Sequence, residues 1–201
     1  MAETKRERKK LLTPPGVLNF PAIFTKAKPM AGSTSEPQYE ATIVFDAASL
    51  KANPKELARF NAIRAELEAA CRDKFKKPIK EAMEKIGRFW NPIRSGEEKE
   101  HLAGYGAGKI FFKCKSKRRP GVVGPDAQTP VDDPEALYSG CVVRLSVTPF
   151  AYDNQGGKGL SLALNSVMFV ADGERLDGVS NPQDDFGEMA GETVAADDDL
   201  I

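Results

Sequence analysis

Apolar and polar positions along this chain fall into blocks that predict five strands and two helices. Residues 17–25 read as a first strand, with Pro21 tolerable at an edge or a bulge. Residues 39–46 alternate, with Ala41, Ile43 and Phe45 on one side and Thr42 and Val44 on the other. Residues 109–117, 141–150 and 160–170 alternate in the same way. The stretches 26–38 and 119–134, rich in Pro, Gly, Ser and Thr, read as irregular loops, and 152–159 as a hairpin loop. In Asn53-Pro54-Lys55-Glu56, Asn53 can cap a helix whose first position is Pro54. Leu57, Phe60, Ile63, Leu67, Ala70 and Cys71 then recur at helical spacing, to about residue 75. A shorter helix over 79–86 ends at Gly87. The expected architecture is mainly β, a five-stranded barrel with a helical insertion at about 54–86.

The strand at 109–117 carries the strongest chemical signal. The window 109–119 holds six basic residues and no acid. Strand alternation puts Ile110, Phe112, Cys114 and Ser116 on one face and Lys109, Phe111, Lys113, Lys115 and Lys117 on the other. Lysines that repel one another around an exposed ring make a costly face to leave in water. Single-stranded nucleic acid relieves both costs, because phosphates pair with lysine and an unstacked base lies on the ring. The plainer alternative is an edge strand guarded by lysines against aggregation.

The same theme extends beyond this strand. Arg118 and Arg119 follow it, and Arg144, Phe150 and Tyr152 share a face of the next one. Phe150 and Tyr152 fit equally well as barrel-end core. Lys158 lies in the hairpin loop, and Trp90 with Arg88 and Arg94 forms a second aromatic–basic cluster, although a lone Trp more often packs inside.

Motifs for catalysis do not assemble. Residues 103–110 resemble a phosphate loop, but Ala103 and Ile110 occupy the places of its first Gly and its Ser/Thr. His101 has no partner histidine, Asp132 and Asp133 before Pro134 read as a turn, and Asp172, Glu174 and Asp177 could hold a hard cation only weakly and read first as a solvated loop. The expectation is a binding protein with no cofactor and no metal.

Net charge is zero, but it is unevenly spread. Residues 183–201 hold seven of the 29 acids and none of the 29 bases, leaving net +7 on the rest. This segment reads as a disordered tail, Asp197, Asp198 and Asp199 being followed by the apolar Leu200 and Ile201. A flexible tail of that length reaches about 24 Å, far enough to cover a basic face or to meet a partner. Residues 1–10 read as a basic flexible arm, leaving 11–182 as the domain. Pro14, Pro15 and Pro21 spoil a signal peptide, and no apolar run is long enough to cross a membrane. Cys71, Cys114 and Cys141, odd in number and without CxxC, fit a reducing cytoplasm.

An ordered series of segments carries a family resemblance. It comprises residues 115–123 (KSKRRPGVV), 138–143 (YSGCVV), 150–153 (FAYD), 157–165 (GKGLSLALN) and 172–174 (DGE). In this series the chain resembles the phage single-stranded DNA-binding proteins of the OB-fold class. The resemblance implies an OB barrel, sequence-tolerant binding of single-stranded DNA (ssDNA), and work in phage replication or recombination in the host cytoplasm. It also implies a tail that recruits replication or recombination proteins, and leaves self-association open. The expected DNA-binding set is Lys109, Phe111, Lys113, Lys115, Lys117, Arg118, Arg119, Arg144 and Lys158 with Phe150, Tyr152, Trp90 and Arg94. The rival readings are an adaptor whose lysine strand binds an acidic protein and, more remotely, a metal nuclease.

Overall fold

The computed structural model describes residues 7–29, 36–154 and 157–178. In chain order the elements are β1 (Leu11–Leu12), β2 (Gly16–Ala27), β3 (Gln38–Asp46), α1 (Ala47–Ala52), α2 (Pro54–Phe75) and α3 (Ile79–Lys85). They continue with β4 (Phe89–Trp90), β5 (Ile93–Ser95), β6 (Lys109–Ser116), β7 (Gly121–Val123), β8 (Val142–Asn154) and β9 (Gly157–Ala171). Five strands close a barrel in the cyclic order β2, β3, β6, β9, β8 and back to β2. Each pairing is antiparallel except β6 with β9, which run parallel. This is the expected OB-type barrel, and all three helices fall between its second and third strands.

Alternation explains the interior. Ile43, Phe45, Phe112, Cys114, Leu145 and Leu162 are fully or almost fully buried, each on the face its strand pattern assigns to the core. Asn53 caps α2 as its sequence suggests, its Oδ1 accepting the Glu56 N–H at 3.3 Å. Helix α2 then delivers Phe60, Ile63, Leu67 and Cys71 into the barrel core. The Phe60 ring stacks 5.1 Å from Phe112 and meets Phe45 edge-on at 5.8 Å. Each such buried ring contributes roughly 1.5–3 kcal/mol, so the insertion is part of the core rather than an ornament.

The strands run further than their patterns suggest. Most of the expected hairpin loop at 152–159 is strand, because β8 and β9 stay in register to Asn154 and Gly157. Strand β7 interrupts the expected loop at 119–134, and α1 extends the insertion back to Ala47. Strands β1, β4 and β5 are two or three residues long, too short to show a period. The expected tail at 183–201 and residues 1–6 of the arm lie outside the described residues.

After β9 the chain folds back over residues 138–140. The Leu176 N–H donates to the Ser139 carbonyl at 2.8 Å, and the Tyr138 hydroxyl donates to Asp172 at 2.9 Å. Among the described residues, no helix is long and apolar enough to cross a membrane. The three cysteines are buried free thiols.

Candidate nucleic-acid interface

Strand register gathers seven of the candidate residues, Trp90, Arg94, Phe111, Lys113, Lys115, Phe150 and Tyr152, on the outer face of the barrel. Glu40, Lys115, Ala163 and Thr148 form one row across β3, β6, β9 and β8. The next row brings Thr42 beside Lys113 and Ser161 beside Phe150. At the end of the face, Val44, Phe111 and Arg94 are in register, as are Tyr152, Gly159 and Trp90. The small residues Ser161 and Ala163 make a low floor between a cationic strand and an aromatic one. Polar groups extend the floor, with the Asn165 Nδ2 donating to Thr148 Oγ1 at 3.0 Å.

Cations and rings interleave at the β4–β5 end. The Arg94 guanidinium lies 5.0 Å from the Trp90 ring and 5.4 Å from Phe111, and Trp90 is exposed. Phe150 and Tyr152 are half-buried 6.4 Å apart, with Arg8 of the N-terminal arm 5.1 Å over Phe150. Neither belongs to the buried core cluster, so they are not barrel-end core.

Phe111 requires a correction. It points to the lysine face as alternation predicts, but it is 1% exposed, so the expected outward ring is absent. The segment 96–108 crosses this face and covers it. Tyr105 meets Phe111 edge-on at 5.2 Å, and the Asn19 side-chain amide donates to the Ala103 carbonyl at 3.3 Å. The strap opens with a 3-10 helix (Gly96–Lys99) and turns back through Gly104, at φ +82°, which permits a tight path. A Cβ at Gly104 would lie 2.7 Å from the Leu176 side chain, so the returning C-terminal segment clamps the strap.

The strap brings in residues that sequence reasoning missed. The Lys99 ammonium lies 5.1–5.4 Å from three rings, Phe20, Tyr105 and Phe111. Burial, with Lys113 and Arg94 nearby, pushes its pKa below the usual lysine value. Phe20 is 52% exposed with a left-handed backbone, φ +48°, at a bulge in β2. Such a conformation costs an aromatic residue roughly 1–2 kcal/mol. Lys99 sits between acidic residues in a short 3-10 turn, where no periodicity marks it. Among the described residues the buried Tyr105 hydroxyl has no hydrogen-bond partner, and burial pushes its pKa up to about 12.

The lysines are matched by acids. Glu40 takes both Lys113 at 2.7 Å and Lys115 at 2.9 Å, Asp46 takes Lys109 at 3.1 Å, and Glu36 takes Lys117 at 3.0 Å. Burial works against the Glu40 charge, but the two lysines outweigh it and hold the carboxyl below its ordinary range. Strand β6 is paired on both sides, so the edge-guard explanation of its lysines fails.

The remaining candidates lie apart from the rows. Arg144 forks onto Glu56 of α2 at 3.0 and 3.1 Å and donates to the Thr13 carbonyl, which corrects its assignment to the lysine surface. Lys158 pairs with Asp153 at 3.3 Å at the hairpin end. Arg119 pairs with Asp132 at 3.3 Å and covers Phe24, while Arg118 is exposed beside it. Asp197, Asp198, Asp199, Leu200 and Ile201 lie outside the described residues. Among the described residues, no three His, Cys, Asp or Glu side chains group to hold a metal.

Comparison with known proteins places this architecture. The profile of a family described as Enterobacter phage Enc34, ssDNA-binding protein, matches residues 9–201. Protein p50 of Acyrthosiphon pisum secondary endosymbiont phage 1 is 36% identical over 86 residues, 43% of this chain and 45% of p50. The match thus spans less than half the length of that relative. Among solved structures, the single-stranded DNA-binding protein from bacteriophage Enc34 in complex with ssDNA aligns with TM-score 0.66 at 18% identity. That alignment covers 83% of this chain and 88% of the other. The T7 protein gp2.5, a single-stranded DNA-binding protein, aligns with TM-score 0.56 at 17% identity, covering 94% and 100%. At these identities the likeness is one of fold. With a family profile that spans nearly all of it, the chain belongs to the family of the Enterobacter phage Enc34 ssDNA-binding protein.

Proposed function

We propose that the protein binds single-stranded DNA without sequence preference and without catalysis, in phage replication or recombination in the host cytoplasm. The observation that carries this is the outer barrel face, where Lys113, Lys115, Lys99 and Arg94 alternate with Trp90, Phe20, Phe150 and Tyr152 around the Ser161–Ala163 floor. Phosphates pair with the cations, and bases lie on the rings at roughly 1–3 kcal/mol each. Membership of a family described by ssDNA binding, and the fold shared with a protein solved on ssDNA, support the same reading.

The acidic end belongs to the proposal. Asp197, Asp198 and Asp199 compete with phosphates for the cationic face, while Leu200 and Ile201 offer a replication or recombination protein an apolar contact. In support, Leu176, near the last described residue, lies against the strap that covers this face.

Binding of ssDNA, duplex DNA and RNA of equal length, with a non-nucleic polyanion as control, tests the reading. With four to six phosphates engaged, log K for ssDNA falls against log[salt] with slope about −3 to −4. A flat salt response, or equal binding to the polyanion, rejects it in favour of an adaptor for acidic proteins.

A further inference from the structure

A groove of about 770 Å³ opens between α2, α3 and the β5 edge, with Arg94 in its lining. That volume falls within the ~300–1,000 Å³ of small-ligand sites. Its walls are apolar, from Ala65, Ile79, Met83 and Ile93, and Met83 is an exposed large apolar side chain. Its rim carries the cations Arg64 and Lys80, with Arg94 beside them, whose guanidinium is paired with Glu98. Among the described residues, Arg64 and Lys80 make no ion pair. The acid in the lining, Glu68, is already held by Arg72 at 2.9 Å and by the Ile79 N–H at 3.1 Å. Asn61 adds an amide of the kind that meets base edges, while the Asn91 amide is engaged with the Ile93 N–H and the Met83 sulfur.

We propose that this groove is a nucleotide subsite. Single-stranded DNA leaving the sheet face at Trp90 crosses the β5 edge beneath Arg94 and seats a base against Ile79, Met83 and Ile93. Arg64 and Lys80 hold the flanking phosphates. Arg94 makes the path continuous, since its guanidinium lies over Trp90 and the residue also lines the groove. The helical insertion then has a binding role beyond its part in the core. The proposal rests on the ssDNA reading above, and the following experiment separates the two.

The test uses the full chain and oligo(dT) of about 6 and about 20 nucleotides, chosen around the ~4–16 nucleotides an OB barrel covers. The double substitution Arg64→Glu, Lys80→Glu lies on exposed helix positions. The expected result is unchanged affinity for the short oligonucleotide and roughly ten-fold weaker binding of the long one, its salt slope shallower by about 1.4 from two lost phosphates. A photoreactive benzoylphenylalanine at Met83 then crosslinks to the long oligonucleotide and not to the short one. Equal loss for both lengths, no loss for either, or crosslinking of position 83 to residues 197–201 of the chain itself overturns the subsite and leaves ssDNA binding standing. Absence of binding by the unmodified chain overturns both.

Discussion

Lys99 holds its ammonium 5.1 Å from the centre of the Phe111 ring, closing off the surface on which an exposed aromatic would have met a base. The ring serves as the floor under the cation, and its two roles separate by mutation. Phe111→Ala removes a fully buried ring and costs roughly 3–5 kcal/mol, read as a lower urea midpoint. Lys99→Gln leaves that midpoint nearly unchanged but weakens ssDNA binding, with a salt slope shallower by about 0.7.

Phe20 pairs an unfavourable backbone with an exposed ring, so its stability and its binding are expected to move in opposite directions. Phe20→Gly releases the left-handed strain and raises stability by up to about 1 kcal/mol after glycine's entropy cost. The same change weakens ssDNA binding by roughly 1–3 kcal/mol through loss of the ring. Thermal melts and fluorescence polarisation on one preparation check both signs.

Glu40 sits between Lys113 and Lys115, where, on the proposed reading, it would compete with phosphate for them. Glu40→Gln frees Lys113 and Lys115 and removes a like charge, so ssDNA binds about three- to ten-fold more tightly. The cost in stability is about 0–1 kcal/mol, as for other partly exposed pairs. Because the folded carboxyl titrates below its ordinary value of 4.5, its stabilisation is present above that pH and is lost as pH falls through the folded value. Comparison of wild type and Glu40→Gln between about pH 6 and pH 3 then shows their stability difference shrinking toward acid.

Arg144 belongs to the scaffold. Its fork onto Glu56 joins β8 to the first turn of α2, and Glu56 is held below the usual carboxylate range chiefly by that hydrogen bond. Arg144→Ala lowers stability by about 1–3 kcal/mol and leaves ssDNA affinity of the folded protein unchanged. An affinity loss at temperatures well below the melt would restore Arg144 to the interface.

Much of the barrel is legible in the sequence because its long strands each keep one buried face, and period-two patterning records that directly. Phe112 and Cys114 fall inward for this reason, and Lys113 and Lys115 outward. The partners of those lysines are not legible. Glu40 meets them only through the β3–β6 register, which no local pattern encodes. Arg144 fails for a related reason, since alternation places it on a face but says nothing of the helix that reaches it. The cover over Phe111 comes from a glycine-rich segment whose Tyr105 has no periodic context. Its glycines draw attention as a failed phosphate loop, while their structural use is to let the chain turn back.

The barrel seam joins residues that are far apart in the chain. Gly16 pairs with Val143, and Leu11 with Val147. During synthesis, β2 can pair with β3 at once. Strand β1 and the other edge of β2, however, wait for more than half of the protein to be made before they meet β8. Contacts of such wide separation make for slow folding. The parallel join of β6 to β9 comes later still, and with it the Ser161–Ala163 floor. A nascent chain thus has no assembled Ser161–Ala163 floor until β9 is free of the ribosome, and a chain cut before β9 is expected to lack the ssDNA affinity proposed for the finished protein.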